Sequence, residues 1–136
     1  LREGEILGFY GLVGAGRTEL ARVLIGEDRM DAGTVYVRGE KADIRSVADS
    51  LKRYRIGYVT ENRKEEGLLL GAPISTNVSI TVWPRLANRL TRFISRARET
   101  ALTRGMIRDL DIRATGPFQR TEDLSGGNQQ KICIAK

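Results

Sequence analysis

The sequence predicts an α/β fold that gives way to a helical second part, and three observations carry that prediction. Short apolar runs bounded by glycines alternate with amphipathic helical segments over residues 1–61. A glycine-rich turn at residues 11–18 joins the first apolar run to the first helix. After residue 61 the strand pattern stops, and a broken helical pattern runs on to a second glycine turn at residues 124–128. A strand-and-helix part is therefore expected first, a mostly helical part after it, and a glycine turn opening a last helix at the end.

Taken in order, "EILGFYGLV" is a short apolar run between glycines and reads as a buried strand. "TELARVLIG" places Leu20, Val23 and Leu24 at helical spacing and closes on Gly26, so it reads as an amphipathic helix with a glycine stop. "MDAGTVYVRGE" is a turn, a strand with Val35 and Val37 on one face, and a second turn. A helix is expected to begin near Ser46, and a second buried strand at residues 56–59. From residue 74 to about 111 the pattern is mostly helical, broken at Pro84. Ser95 is placed to cap a helix whose apolar face would hold Ala97, Ala101, Leu102, Met106 and Leu110, weakened by Gly105. Residues 115–119 read as a loop, and "LSGGNQQKICIAK" as a glycine turn opening a last helix.

Composition narrows the chemistry. The 136 residues are 40% hydrophobic and 29% charged, an ordinary globular mixture. No run of about 18 apolar residues occurs to span a membrane, and no leader segment is expected at the start. The single cysteine, Cys133, lies between two isoleucines and reads as a small core residue; a reducing compartment is expected. Histidine is absent, which removes imidazole acid–base and metal chemistry from these residues. The net charge of +6 is unevenly spread: Arg85, Arg89, Arg92, Arg96, Arg98, Arg104 and Arg108 face only Glu99 and Asp109 in one stretch. That stretch reads first as a solvated helical face and next as a docking face for a protein or membrane surface. A nucleic-acid reader comes last, because Trp83 and Phe93 are a thin supply of stacking aromatics.

Two turns carry chemistry. "GLVGAGRTEL" nearly spells the phosphate-binding pattern Gly-x-x-x-x-Gly-Lys-Ser/Thr, with Arg17 in the lysine position. Gly11, Gly14 and Gly16 permit a tight backbone path, the helix start adds positive potential, and Thr18 is placed to offer a hydroxyl to Mg²⁺. Arginine keeps the charge but is a broad planar fork; it could pair with phosphate from a shifted position or crowd the γ-phosphate. A chance glycine turn is the plain alternative. The second turn, "LSGGNQQK", puts Ser125, Gly126 and Gly127 at a helix start, another anion-binding arrangement that is also a common cap.

The string "LSGGNQQK" resembles the signature motif of ABC-transporter ATPases, and its ending resembles the branch serving monosaccharide importers of the ribose, galactose, xylose and arabinose kind. "GEILGFYGLVGAGRTEL" and "GYVTENRKEEGL" resemble the same branch, in which two ATPase halves lie in tandem and the second has arginine at the lysine position. Arg17 and the run Glu61-Asn62-Arg63-Lys64 resemble that second half. The resemblance implies a partial P-loop, RecA-like α/β core at 1–61 with an inserted helical subdomain at 62–123, and a return to the core at 124–136. It implies a Walker A loop at Gly11, Gly14, Ala15, Gly16, Arg17, Thr18 and Glu19. Glu61 would stand in place of the Q-loop glutamine, and Ser125, Gly126, Gly127 and Asn128 would form the signature, with asparagine in place of the commoner glutamine. ATP and Mg²⁺ are the implied cofactors, with Thr18 and Glu61 toward the metal.

The resemblance also implies partners: another ATPase half in a head-to-tail pair, membrane-spanning permease subunits, and indirectly a periplasmic sugar-binding protein, with no nucleic acid. The implied place is the cytoplasmic face of the plasma membrane, peripherally. The chain is expected to be a piece of a longer ATPase, with the Walker B strand and switch histidine after Lys136 and the adenine-stacking aromatic before Leu1, and to be inactive by itself. The altered loop implies binding with slow or no hydrolysis, and the intact signature implies service to the other half's site. Two rivals stand beside this: a half in which Arg17 has abolished nucleotide binding, and a chromosome- or repair-type ATPase, which would need long heptads near residue 62.

Overall fold

The computed structural model describes residues 1–136, which form two compact units, Leu1–Tyr58 and Val59–Lys136. In the first unit, α1 (Arg17–Leu24) ends as expected. Gly26 takes φ 73°, and its N–H donates to the Val23 carbonyl at 3.0 Å. A side chain there would also meet Ser46 N at 2.8 Å, so the stop doubles as a close crossing of two segments. Ile25 beside it is the buried apolar anchor of this unit.

The only sheet is a hairpin, β1 (Val35–Val37) antiparallel to β2 (Glu40–Ala42), with Val35 opposite Ala42 and Val37 opposite Glu40. Its two-residue turn has both φ angles positive, Arg38 at 55° and Gly39 at 82°, the handedness that matches strand twist. Val35 and Val37 face inward while Tyr36 is exposed, as the alternation predicts; β2 was not anticipated. Ser46 caps α2 (Val47–Asp49) by accepting from the Asp49 N–H at 3.1 Å, and the helix widens into a π-turn at Ser50–Tyr54.

Both expected buried strands are corrected. Residues 5–13 pair with no strand, and Val13 already belongs to the following turn, with Ile6 99% and Leu12 84% exposed. Residues 56–59 likewise join no sheet, and Val59 is exposed. A strand needs a neighbour for its backbone N–H and C=O groups, and no segment of this chain aligns with either run. The apolar stripe of α1 is similarly uncovered: the helix buries none of its residues, and Leu20 is exposed.

The second unit holds the main core. Leu68, Ile74, Val78, Ile112, Leu124, Ile132 and Cys133 pack together, with Leu102, Met106, Ile107 and Leu110 against them. They come from α3 (Ile74–Ser79), α5 (Arg96–Asp109), α6 (Gly126–Ala135) and the loops between. Cys133 is a buried free thiol, pushed up in pKa by burial, as a core residue should be. The α-helix is broken just ahead of Pro84, since α3 ends at Ser79. After a 3₁₀ turn at Ile80–Val82, Pro84 lies in the first turn of α4 (Trp83–Leu86), where proline is tolerated. The chain leaves helix only from Ala87 to Ser95. Ser95 does cap α5, accepting from Arg98 N at 3.5 Å, but Ala97 and Ala101 are exposed. Leu102, Met106 and Leu110 of the expected face do pack on the core, joined by Thr103, which is fully buried and donates to the Glu99 carbonyl at 2.8 Å.

One polar side chain fastens this unit. Asn77 is fully buried; its Oδ1 accepts from Leu69 N at 2.8 Å, and its Nδ2 donates to Leu69 O at 2.9 Å and Thr121 Oγ1 at 3.0 Å. Asn77→Ala takes the side-chain partner from Leu69 N and Thr121 Oγ1 and empties a fully buried polar site, and should cost about 3 kcal/mol in urea unfolding. The uncovered run at residues 5–13 should make the chain self-associate, as an open edge does. Sedimentation velocity over a concentration series should show this, and Ile6→Lys with Val13→Lys should suppress it.

Candidate functional site

The glycine-rich turn is built as a backbone cradle. Ala15 N donates to Leu12 O at 3.1 Å, closing a turn, and Gly14 and Gly16 take φ 81° and 78°. Gly16 is the N-cap of α1 and supplies no side-chain acceptor, so the first N–H groups of the helix stay open. Residues 12–15 and 17–19 are exposed, which brings Thr18 Oγ and these N–H groups to solvent together. Successive amides at such a start suit a phosphate. Arg17 Nη2 reaches back to the Leu12 carbonyl at 3.4 Å, so the guanidinium lies along its own loop. A separate cavity of about 480 Å³ in this unit is lined by residues including Val23, Met30, Val35 and Arg45 and by none of the loop.

In the second unit Glu61 is exposed and precedes a π-turn at Arg63–Gly67. Its neighbours are tied down. Thr60 Oγ1 donates to Glu66 and accepts from Asn62 N at 3.2 Å, while Asn62 Nδ2 donates to Glu65 at 2.6 Å. No such bond engages the Glu61 carboxylate, which is left to face solvent. Thr18 and Glu61 are hard oxygen donors of the type Mg²⁺ accepts beside phosphate and water. No cluster of three His, Cys, Asp or Glu residues exists to form a metal cage.

The second glycine turn opens α6, and here the arrangement differs from a simple cap. Ser125 is the N-cap, but its side chain accepts from no backbone N–H of the helix. Asn128 Nδ2 donates to Ser125 Oγ at 3.0 Å instead, and Asn128 Oδ1 accepts from Arg113 N at 2.9 Å. The serine oxygen being an acceptor in that bond, its hydroxyl proton is free to be donated outward, beside the open N–H groups of Gly126 and Gly127. Ser125, Gly126 and Gly127 are all exposed, while Leu124 before them is buried and fixes the turn to the core. The bridging role of Asn128 was not read from the sequence, although its three-residue spacing from a serine cap is the signal for it. Nor was Arg63: a Cβ on Gly126 would lie 2.8 Å from Arg63 Nη2, so the guanidinium rests over that glycine.

The comparisons with known proteins agree across the whole chain. Residues 1–136 match the family described as ABC transporter. A Burkholderia cenocepacia protein provisionally named ribose/galactose/methyl galactoside import ATP-binding protein 3 is 45% identical over 136 residues, covering 100% of this chain and 26% of the relative. The ribose import ATP-binding protein RbsA of Bacillus subtilis is 42% identical over 137 residues, covering 100% of this chain and 27% of the relative. The chain thus spans about a quarter of the length of the curated relatives it matches.

The two glycines of the second turn should be separable from folding. Nothing lies within 4 Å of a Cβ on Gly127, so Gly127→Ala should stabilise α6 by about 0.5–1 kcal/mol. Gly126→Ala meets only the far end of the Arg63 side chain and should be near neutral once that side chain swings away. Urea unfolding of both variants checks this.

Proposed function

This chain belongs to the ABC transporter family, and on that premise we propose that it is part of the second ATP-binding half of an importer ATPase for simple sugars. The observation that carries the reading is the contrast between its two exposed helix starts. One, at Gly16–Arg17, has arginine in place of the phosphate-binding lysine. The other, at Ser125–Gly127, keeps a free hydroxyl proton and open amides.

In this reading residues 11–18 cradle the phosphates of MgATP through backbone N–H groups, with Thr18 and Glu61 toward the metal, which when bound neutralises phosphate charge. Arg17 binds more than it activates: as a planar fork held to the Leu12 carbonyl, it does not lie along the phosphates as a slim lysine would. An ionised Glu61 can accept but not donate a hydrogen bond, unlike a glutamine in that position. Ser125, Gly126 and Gly127 serve the site of a partner half in a head-to-tail pair, where their donors gain charge-assisted bonds only on closure. Asn128 holds the Ser125 hydroxyl in place.

Residues 62–123 act as the helical subdomain facing permease subunits, on the cytoplasmic face of the membrane, and a periplasmic sugar-binding protein acts indirectly. The names of the relatives support sugar import, and no helix here is long and apolar enough to cross a membrane. A second reading, in which this half binds no nucleotide, draws on the same contact between Arg17 and Leu12, since a guanidinium spent on its own loop is withdrawn from phosphate.

Steady-state ATPase assays on the full two-half subunit with its membrane partners test the proposal. Ser125→Arg should lower turnover by about 10²–10³-fold, the cost of losing an aimed donor, whereas Arg17→Ala should lower it by less than tenfold. Loss of turnover in Arg17→Ala instead would make the altered loop a hydrolytic site. Nucleotide titration of the isolated second half distinguishes the non-binding reading.

A further inference from the structure

The segment between α4 and α5 is a built loop with exposed apolar side chains. Ala87 and Ile94 pair as an antiparallel bridge at its base. Asn88 N donates to Phe93 O at 2.9 Å, Arg92 N to Asn88 O at 3.0 Å, and Ser95 N to Leu86 O at 3.2 Å. Asn88 Oδ1 accepts from Leu90 N at 2.8 Å and Thr91 N at 3.2 Å. Arg92 is held at φ 60°, an uncommon conformation for a residue with a side chain. A loop so closed on itself cannot fold its side chains back to hide them, yet Leu90 is 93% and Phe93 78% exposed.

From residue 85 to residue 98 the charged side chains are all arginines. Arg85, Arg89, Arg92 and Arg98 are exposed and enter no ion pair. Arg96 stacks on Phe118 at 4.9 Å, and the nearby acid, Glu99, accepts from Ser79 Oγ at 2.6 Å. A merely solvated face explains the arginines but not Leu90 and Phe93. A protein-binding patch generally has a wide, charge-depleted apolar centre, and two isolated side chains among unpaired arginines do not make one. Nucleic acid needs stacking platforms, and Trp83 is half-buried with its indole N–H donated to Ser79 Oγ at 2.9 Å. An anionic lipid surface meets both features: guanidinium forks match headgroup phosphates, and a leucine and a phenylalanine partition into the interface.

We propose that this loop contacts anionic lipid directly, with Leu90 and Phe93 among the headgroups and Arg85, Arg89 and Arg92 on their phosphates. This contact is independent of nucleotide and of any membrane subunit. The test uses the full-length protein, purified without membrane partners, in flotation with vesicles of phosphatidylcholine alone or with about 30 mol% phosphatidylglycerol. Binding should require the anionic lipid and weaken at high salt. Arg89→Gln with Arg92→Gln should weaken it about 25-fold, at about fivefold for each arginine removed. Leu90→Ser with Phe93→Ser should weaken it at least about tenfold, at low and high salt alike. A Phe93→Trp variant gives a second readout: its emission should shift to the blue on anionic vesicles relative to the parent protein measured alongside. Equal binding to both vesicle types, no binding, or double variants that bind as the parent does would overturn the proposal. So would loss of heparin retention in the arginine variant with vesicle binding unchanged, which would make the loop a general polyanion surface.

Discussion

The second unit depends on one buried amide. Asn77 joins the loop at Leu69, the start of α3 at Pro73 and the turn at Thr121 through a single side chain. Thr121 passes the connection on: its N–H donates to Ala72 O at 3.1 Å, and its carbonyl accepts from Gln129 Nε2 at 3.2 Å on α6. The signature-like turn at Ser125 follows Thr121 by four residues, so its position is set by this network as much as by the apolar core. Buried polar networks of this kind rigidify when every member is satisfied.

What was legible in the sequence tracks what local chemistry decides. Gly26 stopping α1, Ser46 capping α2 and Ser95 capping α5 are each a residue type meeting a backbone need within four positions, and each stands in the structure. The apolar runs at 5–13 and 56–59 were read as buried strands because composition marks burial, but burial also needs a neighbour, which periodicity cannot supply. The face of α5 was read in part: Leu102, Met106 and Leu110 pack on the core as expected, whereas Ala97 and Ala101 do not. Thr103 is polar by type, yet it satisfies its hydroxyl on the Glu99 carbonyl and enters the core that Ala97 and Ala101 avoid.

The candidate site was legible as motif and less so as geometry. Both glycine turns fall at helix starts, as the strings predict. The hydrogen bonds that give each its character came from side chains outside any pattern: Arg17 folding onto Leu12, Asn128 bridging Ser125 to Arg113, and Arg63 lying over Gly126. These contacts depend on loops distant in sequence or on rotamers, and a spacing rule contains neither.

The glycine N-cap of α1 has a dynamic consequence. With no side-chain acceptor at its start and no residue of its own buried, this eight-residue helix is held by little besides its intrahelical bonds. Its first turn belongs to the least protected amides of the chain, opening locally at small free-energy cost. An anion seated on those amides would supply the missing cap, so occupancy and local order would rise together, and protection from hydrogen exchange in residues 16–20 would report ligation without any change in the hydrophobic core.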